Sequence, residues 1–376
     1  MERIGILKER ADRRVVVLSP AGVGRLAAKA EVFVQRDAGR AAGFTNQAYE
    51  HAGAQVLDRE VEVVNNANIL LSYDHHYTGQ PLTSDKTFIG FFNFLGAPTS
   101  LSNYLNERVT AYSLDLMPRT TLAQAMDVLS SVASISGYQA VLLAAERSLA
   151  TVPMITSAGG TLRPANFLIM GAGVAGLQAI ATARRLGAVV KAYDVRTASK
   201  EEVESLGAEF IEVEGAVNDR SAGGYAIEQP EAFLARIRER IHQEAKVADV
   251  IITTARIPGK KAPLLITEDM VMDMKPGAVI VDLAAASGGN CAVTLADRTV
   301  MRNEVTVLGP TSIECSCAHS TSFLLSNNYA TFIEHFLQHH HEAQQDEILR
   351  TTLVVDRGNV VHERIRPLRT VLNIEP

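Results

Sequence analysis

One segment of this chain leaves little freedom about what must surround it. Phe167-Leu-Ile-Met170 is an unbroken apolar run, Gly171-Ala-Gly173-Val174-Ala175-Gly176 follows at once, and a helical pattern runs from Val174 to Leu186. An apolar run without alternation reads as a strand covered on both faces, as in a parallel sheet between helices. The glycines have separate tasks. Gly171 permits the tight turn, Gly173 lets a phosphate approach the helix N-terminus, and Gly176 lets the helix lie close to the strand. Val189–Tyr193 is the next apolar run, and it ends in Asp194-Val195-Arg196. An acid about 20 residues beyond such a turn accepts hydrogen bonds from a ribose diol. It also repels a 2′-phosphate, so the pattern predicts NAD(H) rather than NADP(H). Arg196, a natural phosphate partner, is the contrary signal. Glycines used only for packing would leave the position of Asp194 unexplained.

The rest of the chain repeats the alternation of apolar runs and helical patterns. Its 376 residues suggest about two domains at roughly 150 residues each. Arg3–Leu7, Val32–Val34, Ile69–Leu71, Phe88–Phe91 and Val109–Tyr112 read as strands of a first unit, with a helix over Ala21–Ala30. Strands of the second unit are expected at Phe167–Met170, Val189–Tyr193, Glu209–Val213, Val250–Thr254, Ala278–Leu283 and Val305–Leu308, with helices at Val174–Leu186, Lys200–Leu206 and Pro230–Ala248. Leu122, Met126, Leu129, Val132 and Ile135 recur at helical spacing and predict one long bridging helix from Thr121 to about Leu149 with that face buried. A Ser- and Cys-rich loop then leads to a last helix over Ser322–Gln338 and a partly extended tail. The fold class is α/β, with two Rossmann-like domains. The first is discontinuous, residues 1–130 plus 320–376. The second, residues 131–319, is a doubly wound parallel sheet.

Charge and composition narrow the partners. A formal charge of −6 speaks against nucleic acid and anionic membrane surfaces. No apolar stretch is read as approaching the ~20 residues of a membrane helix, and no signal-peptide core opens the chain. The expected address is cytoplasmic, without direct membrane insertion. Three cysteines make no disulfide framework. Cys315, Cys317 and His319 supply at most three local ligands, and His335 and His339 fall at a helix end beside His340 and His341, so neither group is read as a metal site.

Two further loops follow strands of the second unit: Thr253-Thr254-Ala255-Arg256-Ile257-Pro258-Gly259-Lys260 and Asp282-Leu283 through Gly288-Gly289-Asn290. Loops at the carboxyl ends of strands border a bound cofactor. Thr254, Ala255, Pro258 and Leu283 are therefore expected at the nicotinamide half. Residues 215–229, which include Gly224 and Tyr225, have no periodicity and read as a lid.

These stretches, together with Arg3-Ile-Gly-Ile-Leu-Lys-Glu9, Leu18-Ser-Pro-Ala-Gly-Val23, Lys200–Phe210 and Gly288-Gly-Asn-Cys291, resemble the alanine dehydrogenase/pyridine nucleotide transhydrogenase family. The resemblance is closest to the branch that holds the NAD(H)-binding domain I of proton-translocating transhydrogenase. It is weak over Ser72–Asp85 and Pro310–Ser322. It implies that Arg119, Gln124, Asp127 and Ser130, at the transhydrogenase spacing, lie beside the nicotinamide, with Gln124 reaching NADP(H) held by a partner subunit. It implies that Tyr225 is a contact on the lid. It also implies a homodimer and, through partner subunits, a peripheral association with a membrane subunit. The family's dehydrogenases use a Lys, a His and an Asp for acid–base work. Those positions here are Ser72, Asn93 and Ala286, and the arginine that grips a substrate carboxylate falls at Arg14. A stand-alone oxidoreductase of a small amino or keto acid, with Asp74, His75 and His76 as a replacement set, and a non-catalytic NAD-binding protein are the alternatives.

Overall fold

The computed structural model describes residues 1–74, 86–213 and 231–371. The chain divides into two compact units, Met1–Val132 with Glu314–Pro376, and Ala133–Ile313.

The first unit is built on an eight-stranded sheet. Its order is Asn359–Val360, Leu353–Asp356, Thr110–Ser113, Thr87–Gly90, Ile69–Leu71, Glu2–Ile6, Ala30–Gln35 and Ala54–Leu57. Pairing is parallel except where Leu353–Asp356 meets its two neighbours. Side chains alternate across the sheet and feed two cores. Ile69, Leu71 and Ile89 enter one with Tyr329 and Phe332 of the Ala318–His339 helix. Leu70 and Phe88 enter the other with Phe94 and Tyr104. Gln35 and Leu57 end the edge pair in register.

The second unit is a seven-stranded sheet in the order Glu209–Phe210, Val189–Tyr193, Asn166–Met170, Val250–Thr253, Val279–Asp282, Val305–Leu308 and Thr299–Arg302. Only the last strand of this sheet is antiparallel. Taken along the chain, the six parallel strands have the order 3-2-1-4-5-6 of a dinucleotide fold, which reverses direction between Asn166–Met170 and Val250–Thr253. Phe167 and Ile169 pack on one face, Leu168 and Met170 on the other. The continuous apolar run was the signature of this double coverage.

Four expectations need correction. The long helix is Val128–Arg147; Leu122–Met126 before it is a 3-10 turn, and Asp127 (ψ 88°) breaks the two apart. That break changes the helical phase. Ala123, Met126, Val128 and Val132 are buried, whereas Leu122 and Leu129 are 64% and 41% exposed. This same helix has 20 residues and a mean hydropathy of 1.5, so by length and composition it could cross a membrane, contrary to the sequence reading; the core helix of a soluble protein passes the same test. The last helix begins at Ala318, and Ile313–Cys317 before it is a 3-10 turn, so the Ser- and Cys-rich segment is mostly helical. Finally, Ala54–Leu57, Thr299–Arg302 and the hairpin Ile155–Ser157/Gly160–Leu162 are strands that short, mixed sequences had concealed.

Candidate dinucleotide site

The reversal of strand order places the end of Asn166–Met170 beside the end of Val250–Thr253, and the loops that leave them touch. Gly171 has φ +104°, and a β-carbon on it would lie 2.5 Å from the Thr254 hydroxyl. That hydroxyl donates to the carbonyls of Met170 and Gly171 at 3.3 and 3.2 Å. Gly176 has still less room, since a β-carbon there would sit 1.8 Å from the Gly171 carbonyl oxygen. Gly173 is the opposite case: among the described residues, nothing lies within 4 Å of a β-carbon built on it. It caps the helix Val174–Arg185 in extended conformation with no side-chain hydrogen bond to the first turn. The first N–H groups of a helix have no partner within it and attract anions. An open glycine before an uncapped helix start thus forms a cradle for a pyrophosphate.

Asp194 is 9% exposed and hangs directly behind this turn. Its Oδ2 accepts the Ala172 N–H at 2.7 Å, and its carboxylate is paired with the Arg196 guanidinium at 2.9 Å. That pairing raises the Arg196 pKa above its usual value. Val195 is half-buried between them.

The third wall is held by a carboxylate that plain motif reading passed over. Asp282 is completely buried. Its Oδ1 accepts from the Thr253 hydroxyl and the Ala284 N–H, both at 2.9 Å. Its Oδ2 accepts from the N–H groups of Asn290 (2.7 Å) and Cys291 (3.0 Å) and from the Thr294 hydroxyl (2.7 Å). Asn290, also fully buried, continues the chain of contacts: its carboxamide accepts from Ala255 N–H at 3.0 Å and donates to the carbonyls of Ala255 and Pro263 at 2.9 and 2.8 Å. Asp282 therefore fixes Asn290, and Asn290 fixes the peptide of Ala255, next to Thr254. Leu283 is buried beside them, while Pro258 is exposed. Burial also pushes the Cys291 thiol up to about 11, so this cysteine is an inert core group.

Gly137 was another unforeseen participant. It lies inside the Val128–Arg147 helix, and a β-carbon on it would fall 2.0 Å from the Ala175 carbonyl oxygen. This contact brings the long helix against the first turn of the phosphate-binding helix. A glycine in an otherwise helix-forming run was the available signal. Gly224 and Tyr225 lie outside the described residues.

The other predicted residues belong to the first unit. Asp127 caps the Val128–Arg147 helix: its carboxylate accepts the Ser130 N–H at 2.9 Å and the Ser130 hydroxyl at 2.6 Å. Gln124 and Arg119 are exposed. The turn that carries Gln124 is pinned by Asn328, whose amide donates to the Ala125 carbonyl at 2.9 Å. At the positions of dehydrogenase acid–base groups, Ser72 is buried with its carbonyl accepting from Tyr329 (2.9 Å), and Asn93 is in the left-handed region with its N–H on Asp115. Arg14 is exposed. Its neighbour Arg13 turns inward and donates to Asp74 at 2.7 Å, with that pairing holding its pKa up against the opposing effect of burial. His75 and His76 lie outside the described residues.

Comparison with known proteins agrees with this geometry. Residues 5–136 match the N-terminal domain, and residues 140–363 the C-terminal domain, of the family described as alanine dehydrogenase/PNT. An NAD(P) transhydrogenase alpha subunit of Rhodospirillum rubrum is 39% identical, over 96% of this chain and 98% of that protein. Its Rickettsia prowazekii counterpart is 36% identical over 97% of both. Among solved structures, a transhydrogenase from Sinorhizobium meliloti superposes with a TM-score of 0.84 at 36% identity, covering 96% of this chain and 99% of the other. An L-alanine dehydrogenase shares the fold, with a TM-score of 0.80 at 21% identity over 99% of this chain and all of that one.

Proposed function

We propose, because the chain belongs to the alanine dehydrogenase/pyridine nucleotide transhydrogenase family, that it is the NAD(H)-binding half of a hydride exchange whose NADP(H) is held by a separate subunit. One observation carries the reading. The dinucleotide turn is complete, yet the dehydrogenase positions hold Ser72, Asn93 and Ala286, none of which moves a proton at neutral pH. Direct hydride transfer between nicotinamides needs no proton donor, whereas reductive amination does. Arg13 supports the same conclusion, since its guanidinium is engaged by the chain's own Asp74 instead of standing open to a substrate carboxylate.

When bound, NAD(H) supplies the hydride chemistry. The chain's residues bind and orient it. Gly171, Gly173 and the first turn Val174-Ala175-Gly176 take the pyrophosphate, and Asp194 with the Val195–Arg196 backbone takes the adenosine ribose. Thr254, Ala255, Pro258 and Leu283 flank the nicotinamide half, Arg119, Gln124, Asp127 and Ser130 orient the ring, and Gly224 and Tyr225 close over it. Asp127 and Ser130 do their part by starting the helix sharply after the Gln124 turn. Gln124→Ala is expected to slow hydride exchange with an NADP(H)-loaded partner by about 10- to 100-fold and to leave the Kd for NADH within about twofold, as measured by nicotinamide fluorescence. Equal losses in both quantities would place Gln124 elsewhere.

The same reading includes a homodimer, on the cytoplasmic side of a membrane and joined to it through partner subunits. Its support is apolar surface: the hairpin carries Met154, Ile155 and Leu162 at 64%, 43% and 52% exposure. Exposed apolar patches of this kind mark protein interfaces. Ile155→Asp with Leu162→Asp should convert a dimer into a monomer by light scattering; an unchanged mass would remove the hairpin from the interface.

A further inference from the structure

Asp194 and Arg196 are more than neighbours at a strand end. The carboxylate is filled: Oδ1 accepts the Arg196 backbone N–H and Nε–H, both at 2.9 Å, and Oδ2 accepts Arg196 Nη2 at 3.0 Å and the Ala172 N–H at 2.7 Å. A carboxylate has about four acceptor sites, so in this arrangement Asp194 has none left for a ribose diol. The guanidinium is clamped in the two-pronged geometry that arginine also uses for phosphate. Exposure is asymmetric, 8% for the Asp194 side chain against 33% for that of Arg196. The cation thus lies on the solvent side of the acid.

We propose that Arg196 is a latent 2′-phosphate site kept closed by Asp194, so that the pair, and not the acid alone, determines which nicotinamide dinucleotide the turn accepts. The proposal rests on the reading of Asp194 as the ribose acceptor. Entry of NAD(H) exchanges the guanidinium prongs for the ribose hydroxyls, while the Ala172 N–H keeps Oδ2 in place. A 2′-phosphate cannot make that exchange, because it meets the carboxylate before it reaches the cation. Removing the negative charge releases the guanidinium towards the site where the phosphate would stand. This resolves the contrary signal in the sequence: Arg196 is compatible with NAD(H) because Asp194 occupies it.

The test is a double-mutant cycle on the full chain with Asp194→Asn, Arg196→Ala and both together, titrated with NADH and with NADPH by nicotinamide fluorescence. Asn retains one acceptor oxygen for Ala172, and thermal melts confirm that each variant is folded. Asp194→Asn is expected to weaken NADH by about 10-fold or more and to strengthen NADPH by about 10- to 100-fold, the range for a new charge-assisted hydrogen bond. The double variant is expected to lose that NADPH gain, and Arg196→Ala alone to leave NADPH weak. A gain of NADPH that is equally large without Arg196 would overturn the proposal, because relief of repulsion alone would then explain it. An unchanged NADH affinity in Asp194→Asn would overturn the underlying ribose reading, a result separable from the first.

Discussion

Asp282→Ala is expected to destabilise the second unit by more than about 4 kcal/mol, enough to leave it largely unfolded near body temperature. The carboxylate is completely buried and receives three backbone N–H groups and two hydroxyls. A buried donor left without a partner costs about 1–3 kcal/mol. The two threonine hydroxyls can rotate to other acceptors, but the N–H groups of Ala284, Asn290 and Cys291 point where the backbone holds them. Three such groups suffice for the stated loss even if water reaches one. Asp282→Asn keeps one acceptor and turns an amide towards donors, so it should fall between the alanine variant and the parent. Glu268→Ala provides the contrast. Its pairing with Arg302 is half exposed on both sides, and its loss should cost less than about 1 kcal/mol. Urea unfolding followed by circular dichroism measures all three. An Asp282→Ala variant within about 1 kcal/mol of the parent would show that the loop holds itself.

Gly137→Ala is the second large effect, and here two rules give opposite signs. Helix propensity alone favours alanine over an interior glycine by about 0.5–1 kcal/mol. Sterics say the reverse, because the added carbon would lie 2.0 Å from the Ala175 oxygen and 2.8 Å from its carbonyl carbon. These are backbone atoms of a helix start, so no side chain can swing aside. The helices must part by more than an ångström, and overpacking of this kind costs about 1–3 kcal/mol. The net expectation is a lower melting temperature. Because the displaced atoms belong to the phosphate-binding turn, NADH affinity should fall by about tenfold or more. A variant that melts higher and binds NADH normally would mean that propensity had prevailed.

Much of the second unit was legible because its strands are uniformly apolar and its turn chemistry is distinctive. Ile69–Leu71 and Val189–Tyr193 were read with the observed ends. The glycine spacing announced Gly171 and Gly176 because backbone atoms leave no room for side chains there. What escaped was set by contacts distant in sequence. Asp282 stands 29 residues from its partner Thr253, and Asn290 serves a peptide 35 residues away; neither separation leaves a local pattern. The helix that was read as starting at Thr121 failed for a local reason. Asp127 looked like a polar interruption on one face, whereas its carboxylate captures Ser130 and resets the backbone. Thr299–Arg302 was missed because an exposed antiparallel edge strand needs no apolar run.

The most direct test of the central claim is to mix the pure chain with an NADP(H)-binding transhydrogenase subunit, add NADPH and an oxidised NAD analogue with a shifted absorbance, and follow reduction of the analogue. The account predicts reduction that requires both proteins and needs no amino or keto acid. Reduction should be slowed by Gln124→Ala, while NADH binding persists in that variant. No exchange by a protein that binds NADH normally, or NADH formation from an amino acid by the chain alone, would contradict it.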